Sequence, residues 1–462
     1  MIKKASLFSL VLLIIAAIDS IRYLPATALF GSALLFFFVF SAIVFLIPTS
    51  LVAAELSATF PEKGGVYHWV RTAFGEKSAM LAIWLQWINT MVWYPTVLSF
   101  IAGTAAYLIH PDLAQNESYL VITILVIFWG ITFINLFGLH ISARVNSICA
   151  LTGTIFPMTL LVVLGCIWVF SGKPQQITVT MDTVFPALNQ STSWISIIVI
   201  MASFLGMELA GVHVNDIRDP QRNYPKAMLF ASSFLLLSML LGSLAIAYVL
   251  PANQINLVAG VMQVFSNFFD VFNMRWCIPI LTVMIVIGSI GSIINWLISP
   301  AKGLLHAAEF GYMPPFFAKK NRHGVPSRIL LAQAIVVSIF CTAFLLVPSI
   351  NAFYWFLTAL STELYMIMYV LMFLAAVRLH YRYIHRPKVF KIPGGKVGIW
   401  LTCIVGLFGC LVTIIVGFFP PDTIQISSTG QYARMIGFGN LLMIAPVFLF
   451  YLYKKQKLQS RV

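Results

Sequence analysis

Long apolar runs separated by short polar connections dominate this chain, and strict alternation of apolar and polar residues is not its pattern. A helix that crosses a bilayer needs about 20 predominantly apolar residues. Runs of that kind occupy residues 5–28, 31–54, 79–108, 118–138, 144–170, 193–215, 226–250, 276–301, 329–348, 352–377, 397–419 and 436–453. They predict an all-α integral membrane protein with twelve transmembrane helices. A membrane β-barrel would instead show segments of about 10 residues with alternating hydrophobicity. The longest connections are 55–78, 171–192, 251–275 and 302–328, too short to hold a separate soluble domain. The opening Lys3-Lys4 followed by an apolar stretch could read as a secretory signal. Apolar runs continue to the end of the chain with no soluble domain between them, which favours a first membrane span.

The polar residues inside the runs carry the functional signal. From Ala5 to Ala54 the charged residues are Asp19 and Arg22, with Pro25 three residues further on. Charge in mid-bilayer costs about 2.5–3.5 kcal/mol per residue on insertion scales, and such residues mark function by default. A break in the first helix is therefore expected at Asp19–Pro25. The sixth run reads Ser203-Phe204-Leu205-Gly206-Met207-Glu208-Leu209-Ala210-Gly211, a lone carboxylate between two glycines. Each glycine weakens a helix by about 1 kcal/mol relative to alanine, so a second break is expected there. Glu363 in the tenth run is the remaining acid well inside a span. Two interrupted helices five spans apart point to an inverted-repeat transporter with its site near the bilayer midplane.

Composition and charge narrow the class. The chain is 60% hydrophobic and 9% charged, where a soluble domain carries about 25% charged residues. The net charge of +14 is spread over many short loops and forms no patch or arm, which excludes a nucleic-acid partner. Counted by alternate loops, 24 of the 28 Lys and Arg residues fall in the set that includes both termini, and three fall in the other set. The positive-inside rule then places both termini in the cytoplasm of a cell (inner or plasma) membrane. The six cysteines lie in apolar runs without a CxxC pair and read as small buried hydrophobes. His213 is a lone histidine, and no His/Cys cluster or nucleophile–base pair sits in the spans. No metal, no prosthetic cofactor and no enzymatic chemistry are expected.

Several connections carry recognisable motifs. Pro61-Glu62-Lys63-Gly64-Gly65-Val66-Tyr67-His68-Trp69-Val70 resembles the loop after the second helix in the amino acid–polyamine–organocation superfamily. Ser203–Glu208 resembles that superfamily's unwound sixth helix. His213–Pro225, Asn256–Gln263, Phe390–Lys396 and Phe418–Gln425 are similar to the corresponding segments of the bacterial glutamate/γ-aminobutyrate antiporters. The resemblance runs from the first span to the last. It implies a LeuT-type 5+5 inverted repeat with broken helices 1 and 6. Residues 1–171 would form the first repeat, 172–378 the second, and 379–462 helices 11 and 12 with a short cytoplasmic end. It also implies exchange of one amino acid, or its decarboxylated amine, for another by alternating access. Two departures stand out. Ile18-Asp19-Ser20 replaces the usual Gly-Ser-Gly type break, and the chain ends at Val462, so plugging by a long cytoplasmic tail is not expected.

Backbone freed at a helix break can hold a zwitterion: N–H groups the carboxylate, carbonyls the ammonium. The expected substrate site is Asp19, Ser20, Ile21, Arg22 and Tyr23, then Ser203, Phe204, Leu205, Gly206 and Met207. Asp19 and Arg22 share a face if the helix is intact. They form either an internal ion pair that eases insertion or two ligands for substrate charges, and a Glu363–Arg22 pair is a further internal alternative. Glu208 matches the family's sixth-helix glutamate. It either couples protonation to conformational change or caps broken N–H groups. Glu363, Trp296 and Tyr365 are expected in coupling or gating, with Trp93, Tyr94 and Phe204 among the nearby aromatics. No lysine lies in the fifth span, where some proton-coupled relatives carry one. The reading is an amino acid antiporter in lipid, monomer or homodimer. Proton-coupled symport and a non-transporting amino-acid sensor are its alternatives.

Overall fold

The computed structural model describes residues 7–60, 65–138, 143–185, 194–209, 220–347, 349–383, 390–422 and 428–459. Among these residues, ten helices are long and apolar enough to cross a membrane. They are α3 (Gly31–Thr59), α5 (Glu76–Leu108), α6 (Glu117–Leu136), α7 (Ile148–Phe170), α9 (Arg222–Val249), α11 (Cys277–Glu309), α12 (Ser327–Leu346), α13 (Ile350–Arg382), α14 (Gly395–Val416) and α15 (Thr429–Gln456). Each lies on one of the apolar runs. Shorter helices are α1 (Leu7–Ile18), α2 (Leu24–Ala28), α4 (Gly65–Phe74), α8 (Ser196–Ser203) and α10 (Gly260–Val271).

The run 5–28 is not one rod but α1 and α2 on either side of a break. The run 193–215 is described through Leu209, and its remainder lies outside the described residues. So do Pro61–Gly64, His213 to Asp219 of the loop motif, and Thr423–Gln425. The connections 55–78 and 251–275 are not plain loops, because α4 and α10 lie in them. Both have one apolar face, and that face is buried.

The fold is organised around α13 and α5, which pack on each other near its centre. Large apolar side chains such as Val39, Ile43, Ile122, Val126, Leu401 and Ile404 face outward. That is the reverse of a soluble protein and is what hydrocarbon solvent requires.

Two helices contain one wide π turn each: Ala42–Leu46 in α3 and Leu151–Ile155 in α7. Pro48 and Pro157 follow two residues later. A proline inside a helix lacks an N–H and presses on the carbonyl four residues back. Those carbonyls belong to Val44 and Gly153, both inside the wide turns, which relieve the clash. Each widened turn is met by a glycine of another helix. A Cβ on Gly409 of α14 would sit 2.5 Å from the Val44 carbonyl oxygen, and one on Gly288 of α11 would sit 2.3 Å from the Gly153 Cα.

Gly288→Ala is expected to destabilise by about 1–3 kcal/mol, because the obstructing atoms are backbone and cannot step aside. The control is Gly130→Ala on α6, where a Cβ meets nothing within 4 Å. It should hold or raise the melting temperature, measured by thermal unfolding in detergent.

Candidate functional site

Asp19 ends α1. The α-helical ladder closes with Asp19 N–H donating to Ile15 O at 2.8 Å and resumes when Tyr23 N–H donates to Ser20 O at 3.3 Å. Ser20 is extended at φ −144°, ψ 111°. Aspartate and serine side chains compete with helical hydrogen bonds, and Pro25 fits the first turn of the helix that restarts. The second break follows α8. Gly206 has φ +104°, a conformation that L side chains rarely adopt.

The two breaks face one cavity. It leaves about 80 Å³ for the centres of water-sized atoms. At about 10–15 Å³ per water, that is space for about five to eight waters or one small polar solute. The first break contributes Ile18, Asp19, Ser20, Ile21, Arg22 and Tyr23, and the second Ala202, Leu205 and Gly206. Helix α5 supplies Asn89, Thr90, Trp93, Val97 and Phe100; α7 supplies Thr154 from its wide turn. Ser289, Ser292, Ile293 and Trp296 come from α11, and Tyr365 from α13.

Asp19 and Arg22 do not pair with each other. With the helix broken between them, the shared face that three-residue spacing would give is lost. Arg22 is 1% exposed and sits in a shell of neutral groups. Its Nη1 donates to Thr96 Oγ1 at 2.9 Å and to Tyr354 OH at 3.4 Å, and its Nη2 donates to Tyr23 OH. The guanidinium lies 3.8 Å from the Tyr23 ring centroid and 5.2 Å from that of Trp93, which favours a cation on each ring face. Its buried Nε has no hydrogen-bond partner. Asp19 Oδ2 accepts from Ser238 Oγ at 3.3 Å, while the buried Oδ1 has none. Among the described residues, neither charge is neutralised by an ion pair. A solute with both an acidic and a basic group is what this arrangement can hold.

Glu208 is buried beside the second break, where Tyr365 OH donates to its Oε1 at 2.6 Å and Tyr369 OH donates to its Oε2. Tyr369 OH also accepts from the Gly206 N–H at 2.9 Å. The freed amide therefore reaches the carboxylate through a tyrosine. Gln86 Nε2 donates to Tyr365 OH at 3.3 Å, tying α5 into the same network.

Of the residues expected in the site, Asp19, Ser20, Ile21, Arg22, Tyr23, Leu205, Gly206, Trp296 and Tyr365 line the cavity. Ser203, Phe204 and Met207 are buried beside it and do not line it; Ser203 Oγ donates to Ile200 O at 2.7 Å, and Phe204 packs on Phe38. Tyr94 turns away and donates to Trp296 O at 3.1 Å. Glu363 faces α15, not the cavity and not Arg22. Sequence reasoning missed Asn89, Thr90, Thr154, Ser289 and Ser292. The available signal was small polar residues recurring in otherwise apolar spans. It also missed Glu55, which is 4% exposed at the end of α3. That carboxylate meets His380 Nδ1 at 3.2 Å and accepts from Ile392 N–H at 2.9 Å.

Residues 6–441 match the family described as amino acid permease. An uncharacterized transporter of Legionella pneumophila is 39% identical over 97% of this chain and 96% of its own length. A glutamate/gamma-aminobutyrate antiporter of Lactococcus lactis is 27% identical over 98% of this chain and 92% of its own. A probable agmatine/putrescine antiporter of the same species is 22% identical over 100% and 96%. The chain belongs to the amino acid permease family. It is a multi-pass membrane transporter of amino-acid-like substrates, not an enzyme.

Tyr369→Phe is expected to lower stability by about 1–3 kcal/mol, because it strands both the Gly206 amide and one Glu208 oxygen in the interior. Tyr365→Phe, which strands no backbone amide, should cost less. Thermal unfolding of the two variants side by side checks the order.

Proposed function

We propose that this amino acid permease is an antiporter of the glutamate/γ-aminobutyrate kind, working by alternating access. The observation that carries the reading is the state of Asp19 and Arg22. Opposite charges lie three residues apart on a helix break, buried at a cavity, and neither is neutralised by a described residue. An internal ion pair would have been the arrangement of a purely structural role. Two opposite charges beside the cavity with no ion-pair partner suit a ligand whose ammonium meets Asp19 and whose carboxylate meets Arg22.

In this reading the architecture is the LeuT-type 5+5 inverted repeat. Residues 1–171 and 172–378 are the repeats, and 379–462 holds helices 11 and 12. The α1–α2 and α8 segments are the broken first and sixth of twelve spans. The breaks at Asp19–Ser20 and Phe204–Gly206 support it. The substrate set is Asp19, Ser20, Ile21, Arg22 and Tyr23 with Leu205 and Gly206; Ser203, Phe204 and Met207 hold the second break in place. Trp296 and Tyr365 wall the cavity, and Glu208 couples the second break to α13. Both termini lie on the cytoplasmic side of the cell membrane, supported by the loop distribution of Lys and Arg.

Counterflow of labelled amino acid in proteoliposomes tests the reading. Exchange that requires amino acid on the far side supports antiport. Uptake that needs none and collapses with the proton gradient would replace it by symport; binding without flux would replace it by a sensor. Arg22→Ala is expected to weaken acidic substrates about ten- to a hundredfold more than neutral ones. That factor corresponds to loss of one charge-assisted hydrogen bond of about 1.5–3 kcal/mol. Equal loss for both classes, measured by competition against counterflow, would return Arg22 to a structural role.

A further inference from the structure

Glu363 is a buried acid that the cavity does not use. It lies midway along α13 and is 1% exposed. Asn440 Nδ2 on α15 donates to its Oε2 and to Ile436 O at 3.2 Å. The remaining oxygens of this pair, Glu363 Oε1 and Asn440 Oδ1, are both buried and both lack a hydrogen-bond partner. The residue just past α14 completes the enclosure. A Cβ on Gly417 would sit 2.1 Å from Glu363 Oε1, so glycine is what leaves the carboxyl its place. Among the described residues no Lys, Arg or His reaches Glu363. The titratable group facing it from α15 is Tyr432, and α5 and α14 bring none.

An ionised carboxylate here would have one donor, no counter-charge and an acceptor oxygen left bare, at a cost of several kcal/mol. While the carboxyl is ionised, both stranded atoms can only accept, so neither can satisfy the other. Protonation turns Oε1 into a donor, and the Asn440 amide oxygen is an acceptor in want of one. We propose that Glu363 is a proton-binding site, with the proton on Oε1 and the acid joined to the Asn440 amide as a neutral pair that fastens α13 to α15. The site is separate from the substrate cavity and does not rest on the antiport reading. It is coupled to the cavity through its own helix. Two residues before it, Ser361 Oγ donates to Asn89 Oδ1, and two residues after it, Tyr365 holds Glu208. Loss of the proton leaves an unpaired anion between those two anchors.

Infrared difference spectra of the purified full-length protein at neutral pH, in H₂O and D₂O, test this. Wild type minus Glu363→Gln is expected to show the carbonyl stretch of a protonated carboxylic acid, moving to lower frequency in D₂O. In Asn440→Ala the same band should persist at a shifted frequency, since its hydrogen-bond partner is gone. A pair of carboxylate bands in place of the acid band overturns the proposal and indicates an ionised Glu363 bridged by water. Should Glu363→Gln not fold, wild type minus Asn440→Ala carries the decision: a shifted acid band supports the site, and an absent or unshifted one overturns it.

Discussion

Hydrocarbon offers nothing to a peptide group, so every backbone N–H and C=O freed within the membrane must find its partner inside the protein. Breaking two helices inside the fold frees several such groups at once, and the surrounding residues are arranged to receive them. The Gly206 amide is the plainest case. Tyr369 accepts its hydrogen bond and donates its own to Glu208, two residues along the same broken segment. The break is thus closed into a loop of hydrogen bonds that passes through α13. Tyr365 and Tyr369 are one turn apart on α13 and present their hydroxyls together. An unbroken helix acts as the post to which a broken one is fastened.

The same rule governs the charges of the first break. Arg22 is held by three hydroxyl groups and two aromatic faces, which fix the guanidinium without cancelling it. A carboxylate at that position would have offset the cost of burying the charge. Hydroxyls and rings fix the position of the guanidinium, and none of them brings a counter-charge. Asp19 follows suit with one oxygen on Ser238 and one free of partners.

Much of this was legible in the residues, and the failures have physical causes. Ten apolar runs became ten helices of membrane length, with some ends displaced by several residues. Pro25 with Asp19, and Gly206 with Glu208, marked the breaks because each pair opposes both helix propensity and the apolar solvent. Direction around a helix was not legible. Glu363 and Tyr365 are two residues apart on α13, roughly opposite in azimuth; one faces α15 and the other the cavity. In a helix buried on every side, no polar stripe tells the two faces apart. The hydroxyls of Thr90, Thr154, Ser289 and Ser292 were invisible for a different reason. Serine and threonine satisfy themselves on the carbonyl a turn back, as Thr90 does on Trp87 O and Ser292 on Gly288 O, so they carry no penalty that would single them out. Glu55 was passed over because it stands one residue beyond a charge-free run, where an acid is ordinarily solvated.

The part of the cavity wall that α7 and α11 supply is built by a third kind of distortion. Pro157 forces the wide turn in α7, and that turn carries both Gly153 and Thr154. Gly153 lets α11 approach until Gly288 lies against it, backbone to backbone. Thr154 beside one glycine and Ser289 beside the other then arrive on the same surface, with Ser292 a turn further on. A methyl group at either glycine would part the helices and withdraw small hydroxyls from the cavity together. The proline is therefore linked to the chemistry of the site through geometry alone. It widens a turn, the wide turn admits a glycine contact, and the contact sets the distance at which two helices present their polar atoms to whatever the broken helices hold.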